Sequence, residues 1–593
     1  MLKTPSFCFA FLLSLPLFAA AAPAGKSMLA KPGIEVLKLV GKVEMGKVEK
    51  IKVTGQEFKD SIRLTTLVSG TQPWDVQVNT QIPGAVKNGE VILAEFWVRA
   101  SVTQGESGEA LSEFGFERVG DPWTKAISYN LSITQQWKKY SVPFTSVESL
   151  EAGKSQVYFR MGYKPQAFEV ADFKLTTYGT DVKLDDLPKT KMSYPGMEAD
   201  APWRKDAADR IEKIRKGALT VTVTDAKGKP VPSAKISVRM KRHAFGFGTA
   251  VVAGNLVNPG SENDRYQKEV ERLFNRVVFE NDLKWGPWEE GASNNGYWKR
   301  SYVEGAMKWL VGRKFDVRGH NMVWGTWQYL PPALKQLQND KPALEKAIEA
   351  RIADVGGTMK GQLAEWDVVN EPVPEHQLTD IFGKQQLVTW YQKAHQADPK
   401  ALLFVNDYPG PDTTGHLDGY FDIIKFLLDN KAPLQGIGLQ GHVGGSPWSI
   451  PALLSVLDRF GVYKLPIEIT EYDTDIKDDQ LDGQFFKDFL TAVFSHPSTN
   501  GFLMWGFWDG AHWHHKAPLF NQDWTQKAAG KAYEDLVFHD WWTNAEGTTG
   551  SEGSYQVRGF LGSYEVTVKS GSKTKTVSAS LTNAGLQLPV VLK

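Results

Sequence analysis

The chain of 593 residues has a single cysteine, equal numbers of basic and acidic side chains (68 each), and no apolar run long enough to span a bilayer. Each shortage excludes a class of protein. Cys8 falls inside an N-terminal segment that reads as an export signal. Lys3 precedes the apolar run Phe7–Phe18, interrupted only by Ser14 and Pro16, and Ala22-Pro23-Ala24 offers a small-residue cleavage site. Removal of residues 1–24 predicts a secreted chain without a thiol, which excludes disulfides and thiolate metal ligands. The balanced charge, with no long basic block, excludes nucleic acid and anionic membranes as main partners, since both need clustered Lys and Arg. The apolar part of the signal is shorter than the roughly 18–20 residues of a membrane-spanning helix, and no later stretch reaches that length, so no membrane anchor is expected. Nothing points to a protein partner.

What is present is 42% apolar residues and 20 Trp, with 54 Gly and 31 Pro as punctuation. At roughly 100–200 residues per domain the length predicts several domains, and flat rings with a polar edge suit an uncharged ligand such as a sugar. Residues 25–180 carry short alternating runs such as Val91–Val98 and Gln156–Met161 between Gly, Pro, Ser and Asn clusters, which predicts an all-β sandwich. Of its Trp74, Trp97, Trp123 and Trp137, most are expected in the core. In the connector 181–241, Ala207, Ile211 and Ile214 mark a short amphipathic helix. Leu219–Thr224 and Ala234–Arg239, around Asp225–Pro230, then read as a β-hairpin or small sheet. Residues 544–593 read as a small terminal β module after a Gly/Ser/Thr-rich joint.

Between them, residues 242–543 change rhythm. Short apolar runs begin near Ala244, Arg276, Asp316, Glu365, Leu402, Gln435, Pro466 and Gly501, with helical patterns such as Tyr302–Lys314, Leu344–Val355 and Leu417–Asn430 between them. Alternation of this kind predicts a parallel (β/α)8 barrel, a TIM barrel in the α/β class, whose chemistry sits at the carboxyl ends of the strands. A doubly wound open sheet would need a nucleotide signature after its first strand, and none is there. Polar and aromatic residues close the runs in Glu280-Asn281-Asp282-Leu283-Lys284, His320-Asn321-Met322-Val323-Trp324, Asn370-Glu371-Pro372 and Glu471-Tyr472-Asp473. A glutamate taken at random is a solvated surface residue. Glu371 and Glu471, however, close strands four and seven and can face each other across the barrel mouth, and paired carboxylates across a cleft are what glycoside hydrolysis requires.

With these residues in place, the stretch from His243 to Trp542 resembles the family 10 glycoside hydrolases, whose main activity is endo-β-1,4-xylanase. The resemblance covers about half the chain. It rests on Trp366–Pro372, Ile469–Asp473, Phe404–Tyr408, Gly436–His442 and Met504–Trp513. It implies a retaining mechanism with Glu371 as general acid/base and Glu471 as nucleophile, Asn370 on the sugar 2-hydroxyl, and no cofactor or metal. By the same resemblance Glu280, Asn281, Lys284, His320, Trp324, Gln440, Trp505 and Trp513 line the glycone subsites, and His442 with Asp473 steadies Glu471. The implied partner is xylan or a related β-glycan. The 25–180 segment, through Gln136–Phe144 and Val170–Leu175, resembles the jelly-roll carbohydrate-binding modules that precede some secreted glycosidases.

One departure from the family pattern bears on substrate choice. Many members continue after the counterpart of Trp324 with His-Ser-Gln, whereas this chain has Gly325-Thr326-Trp327, and Trp327 is expected to stack on the sugar or narrow the glycone end. Two other patterns carry rival functions. Gly436–Gly441 fits G-x-G-x-x-G, which would imply a dinucleotide-dependent oxidoreductase, but His442–Pro447 cannot easily continue as the helix that motif opens. His512-Trp513-His514-His515 could ligate a metal, yet it lacks a paired carboxylate motif. The alternatives left beside a secreted xylanase are a retaining hydrolase of another β-glycan and a non-catalytic glycan-binding protein.

Overall fold

A computed structural model of the chain describes residues 25–593 except 32, 71, 104–108, 164, 290–296 and 412–413. The export signal and Cys8 lie outside the described residues. The chain divides into two compact units. The first ends at Lys191, and the second comprises Met192–Lys593 with Thr103–Ala110 and Ser132–Gln135.

The first unit is a pair of antiparallel sheets. One runs Gly46–Lys52, Asp60–Thr66, Gln166–Thr177, Val91–Val102, Lys138–Thr145, and the other Lys38–Gly41, Val76–Gln81, Ser155–Arg160, Ala110–Arg118, Lys125–Ile133. Alternation buries one face of each strand, and Phe96, Phe114, Phe159 and Phe173 interlock in the core with centroid separations of 5.1–6.4 Å. The expectation that most of the four tryptophans sit in this core is overturned. Trp74 and Trp123 are 49% and 46% exposed, and Trp97 and Trp137 are half-buried at the surface with Phe58. Phenylalanine carries no N–H to satisfy, so it is the cheaper ring to enclose between two sheets.

In the second unit eight parallel strands close on themselves: β1 Gly246–Val251, β2 Arg276–Phe279, β3 Asp316–Gly319, β4 Glu365–Asn370, β5 Leu402–Asp407, β6 Gly436–Leu439, β7 Ile467–Thr474 and β8 Thr499–Met504. Each pairs with the next, and β8 pairs with β1 through Gly246↔Gly501 and Phe247↔Phe502. Every strand starts within two residues of its expected position. Helices such as Arg300–Gly312, Lys341–Met359 and Asp479–Ser495 connect the strands. Covered by helices outside and side chains within, the strands are buried on both faces, which is why they read as short apolar runs.

The interior nearer the strand starts is ionic. Arg318 bonds Glu365 (2.9 Å) and Glu468 (3.1 Å) and pairs with Asp367, while Arg276 pairs with Glu468. Burial and the neighbouring Glu365 push Glu468 up to about 8 against the pull of the two guanidinium groups. Three carboxylates outnumber the two arginines here, so the repulsion of Glu365 is felt at Glu468, while Asp367 also bonds His320 Nδ1 (2.9 Å).

Of the two readings of the connector strands, a β-hairpin or a small sheet, the hairpin is overturned: the two strands lie in two different small sheets. Lys216–Asp225 pairs antiparallel with Ser554–Phe560 and parallel with Leu586–Leu592, whereas Lys235–His243 pairs with Asn544–Thr548 and Gly562–Ser570. Segments flanking the barrel on both sides thus build one second sandwich, with Leu219, Val221, Val223, Ile236, Val238, Val566 and Val568 buried. The tight turn Asp225–Pro230 sends the two strands to opposite sheets, because their apolar faces are buried only against strands contributed from the chain's end. The helix Pro202–Ile214 precedes this sandwich. Arg215 at its end donates to the carbonyls of Phe494 (2.7 Å), His496 (2.9 Å) and Thr499 (2.8 Å), tying the joint between helix Asp479–Ser495 and β8.

Candidate active site

The carboxyl ends of the strands surround a cavity of about 360 Å³. Glu280, Asn281, Lys284, His320, Trp324, Asn370, Glu371, His442, Glu471, Trp505 and Trp513 all line it. Gln440 and Asp473, also singled out from the sequence, stand behind the wall and bond to residues that do line it.

Backbone bonds at the strand ends, three of them one residue beyond the strand and that of Glu471 within β7, fix these side chains to the barrel. Glu371 N–H donates to Asn406 O (2.7 Å), Glu471 N–H to Gln440 O (2.8 Å), Gln440 N–H to Asp407 O (2.9 Å) and Trp505 N–H to Tyr472 O (2.9 Å). Glu371 leaves β4 at φ 53°, a left-handed conformation that costs a residue with a Cβ on the order of 1 kcal/mol or more. Its carboxyl accepts from Trp324 Nε1 at Oε2 (3.0 Å), and at Oε1 from Gln440 Nε2 (2.8 Å) and Asn370 Nδ2 (3.2 Å).

Glu471 has a different setting. Its Oε1 accepts from Asn406 Nδ2 (2.7 Å) and lies 3.9 Å from His320 Nδ1, and its Oε2 lies 3.4 Å from His442 Nε2. Burial alone would push its carboxyl up. The charge of His320, the hydrogen bond and charge of His442 and the Lys284 ammonium outweigh burial and hold it below the ordinary carboxylate range. His442 is in turn fixed by Asp473, whose Oδ1 bonds Nδ1 at 2.7 Å and whose Oδ2 accepts from Trp513 Nε1 at 2.7 Å. Asp473 is itself held well below the usual range, as His442 and His512 overcome its burial. Glu280 moves the other way. Burial raises its carboxyl, and Lys284, which donates to Asn281 Oδ1 (2.9 Å), only partly opposes this.

The sequence had not singled out Asn406 as a site residue. Its Nδ2 donates both to Glu471 and to Asn370 Oδ1 (2.8 Å), and Thr470 Oγ1 donates to its Oδ1 (2.7 Å). One amide therefore links the surroundings of both carboxyls. Gly438 on the neighbouring strand makes room for it, since a Cβ there would lie 2.3 Å from Asn406 Oδ1. The available signal was position: Asn406 lies at the carboxyl end of β5, as the other site residues lie at their strand ends.

The expected role of Trp327 is corrected. Trp327 is half-buried against the apolar core and absent from the cavity lining, where Tyr329 stands instead. The G-x-G-x-x-G run lies along β6 and past its end, and the short strand His442–Val443 follows it where a dinucleotide site needs a helix. His512 Nδ1 accepts from the N–H groups of His514 and Lys516 (3.2 Å each), so the histidine run is held by local bonds. Among the described residues, no three His, Cys, Asp or Glu side chains converge as metal ligands.

Two carboxyl groups in unlike surroundings, in one aromatic-walled cavity at the carboxyl end of a (β/α)8 barrel, are the arrangement that glycoside hydrolysis requires. The model of Glycosyl hydrolase family 10 matches residues 237–536, and the chain belongs to that family. It is 32% identical over 374 residues to the anti-sigma-I factor RsgI6 of Acetivibrio thermocellus, a match covering 63% of this chain and 47% of that one. It is 29% identical over 371 residues to endo-1,4-beta-xylanase 1 of Arabidopsis thaliana, covering 62% of this chain and 38% of the relative. The chain thus spans less than half the length of these two relatives. Among solved structures, xylanase 10B of Thermotoga maritima aligns with a TM-score of 0.46 at 23% identity, over 50% of this chain and 96% of that one.

Proposed function

We propose that the protein is a secreted, retaining endo-β-1,4-xylanase that cleaves internal xylosidic bonds of xylan by double displacement. Glu471 attacks the anomeric carbon while Glu371 gives its proton to the departing glycosidic oxygen, so that the C–O bond breaks as the glycosyl ester forms. Glu371, now ionised, takes a proton from water, and the hydroxide equivalent displaces Glu471 with a second inversion. The observation that carries this reading is the unlike environment of the two carboxyls. Glu471 is held ionised by His320, His442 and Lys284, as a nucleophile must be, and Glu371 in the same cavity accepts from the indole of Trp324 and the amides of Asn370 and Gln440. The xylanase names of several family relatives support the choice of substrate, and the N-terminal pattern of residues 1–24 supports export.

The test is reducing-sugar release from β-1,4-xylan and a panel of other β-glycans, with the first product anomer read by NMR. Xylan cleavage to mixed short oligosaccharides with β-anomers first, lost by at least 1000-fold or so in Glu371→Ala and Glu471→Ala, is expected. Turnover of a different glycan alone would move the substrate, initial α-anomers would refute retention, and no turnover anywhere would leave a glycan-binding protein.

A further inference from the structure

The indole that donates to Glu371 is itself held in place. The ring of Tyr329 stacks on Trp324 at 3.8 Å between centroids with 19° between planes, and both rings line the cavity. A compact turn brings Tyr329 there: Thr326 N–H donates to Trp324 O (2.9 Å), and Tyr329 and Leu330 N–H both donate to Thr326 O (3.2 Å). The turn is anchored on the segment after β4. Leu378 N–H donates to Gly325 O (3.0 Å), and Gln377 Oε1 accepts from Thr326 Oγ1 (3.2 Å) and Trp327 N–H (2.8 Å). Gly325 permits this approach, because a Cβ there would lie 2.4 Å from Glu375 O. The tripeptide that departs from the family pattern therefore builds a turn that lays Tyr329 over Trp324.

We propose that Tyr329 is a positioning residue for the general acid/base, acting through Trp324. A stacked indole has one plane available, and in that plane Nε1 points at Glu371 Oε2 at 3.0 Å. Without the stack the indole can tilt, the hydrogen bond weakens, and the carboxyl is free to rotate its proton away from the glycosidic oxygen. The inference rests on the reading of Glu371 as acid/base. It concerns a residue whose stacking partner, not the residue itself, is the donor to the carboxyl, and 40% of Tyr329 remains exposed, so its loss is not expected to unfold the barrel.

The experiment compares wild type, Tyr329→Ala and Tyr329→Phe on two substrates: xylan, whose sugar leaving group needs a proton, and a dinitrophenyl β-xylobioside, whose leaving group does not. The size of an aromatic stacking term predicts that Tyr329→Ala loses about three- to tenfold more in kcat/KM on xylan than on the aryl glycoside. The alkaline limb of the xylan profile should move to higher pH, because a weaker donor to the ionised carboxylate raises its pKa. Tyr329→Phe keeps the ring and should restore the wild-type ratio between the substrates. Equal losses on both substrates, or a Phe variant as impaired as the Ala variant, would overturn the proposal while leaving the hydrolase reading intact. A wild type inert on both would overturn the reading of Glu371 and the proposal with it.

Discussion

Replacing Asn406 by alanine removes the side chain that joins the two halves of the site. The variant loses the 2.7 Å donor to Glu471 Oε1 and the 2.8 Å donor to Asn370 Oδ1, and leaves Thr470 Oγ1 without its acceptor. A hydrogen bond to an ionised acceptor is worth about 1.5–3 kcal/mol, which corresponds to about a 10- to 150-fold loss in kcat/KM if it is fully expressed in the transition state. The same bond favours the charged form of Glu471, so its loss should move the acid limb of kcat/KM to higher pH. Steady-state kinetics on xylan from pH 3 to 9, with thermal unfolding as a folding control, measure both. Asn406→Asp sharpens the test. It sets a carboxylate oxygen where a donor stood against Glu471 and Asn370, so activity should be lower than in the alanine variant at neutral pH and recover in part on acidification. A folded Asn406→Ala enzyme with activity within threefold of wild type and an unmoved acid limb would refute the reasoning and leave His442 and His320 as sufficient to set Glu471.

Two further outcomes follow from burial and close approach. His243 is buried among Phe247, Phe494, Trp542 and Phe560, which pushes its imidazole from 6.5 down to about 4, partly offset by its bond to Val537 O. Its neutral form is the folded one, so it contributes stability above pH 6.5 that is lost as pH falls from there towards 4, up to about 3 kcal/mol. Denaturant unfolding across that window should show the slope, and His243→Phe should flatten it. Gly325→Ala should destabilise the barrel by about 1–3 kcal/mol, because the clash is with the backbone carbonyl of Glu375, and should reproduce the substrate-selective loss of Tyr329→Ala. A Gly325→Ala enzyme with unchanged kinetics on both substrates would show that the turn does not set Tyr329.

The fold of the barrel was legible because its strands are local signals. Short apolar runs broken by helical periods place β1 to β8 within two residues of where they form, and the ends of β2, β3, β4, β7 and β8 carry residues that line the cavity. Glu371 and Glu471 follow from that rule of position once the barrel is accepted, whereas His442 and Trp505 came with the family resemblance. Asn406 obeys the same rule but carries no charge or ring to draw notice, and its value lies in contacts with Asn370 and Thr470 that spacing does not reveal. Trp327 was the larger and more conspicuous ring beside Trp324. Tyr329 holds the place by virtue of a turn whose partners, Glu375, Gln377 and Leu378, lie beyond the next strand. The core of the first unit shows the same limit, since alternation marks a buried face without deciding which rings fill it.

Sequence by itself determined the elements of the barrel and the chemistry at its mouth, because hydrophobic period and strand-end position are properties of neighbouring residues. Only the tertiary structure decided that Lys216–Asp225 and Lys235–His243 belong to different sheets of one sandwich completed by Asn544–Leu592. It alone decided that Glu471 lies below the ordinary carboxylate range and Glu280 above it. Strand partners and charge environments are set by groups brought together across hundreds of residues, and in a buried site the energy of a charge depends on those groups more than on its own side chain.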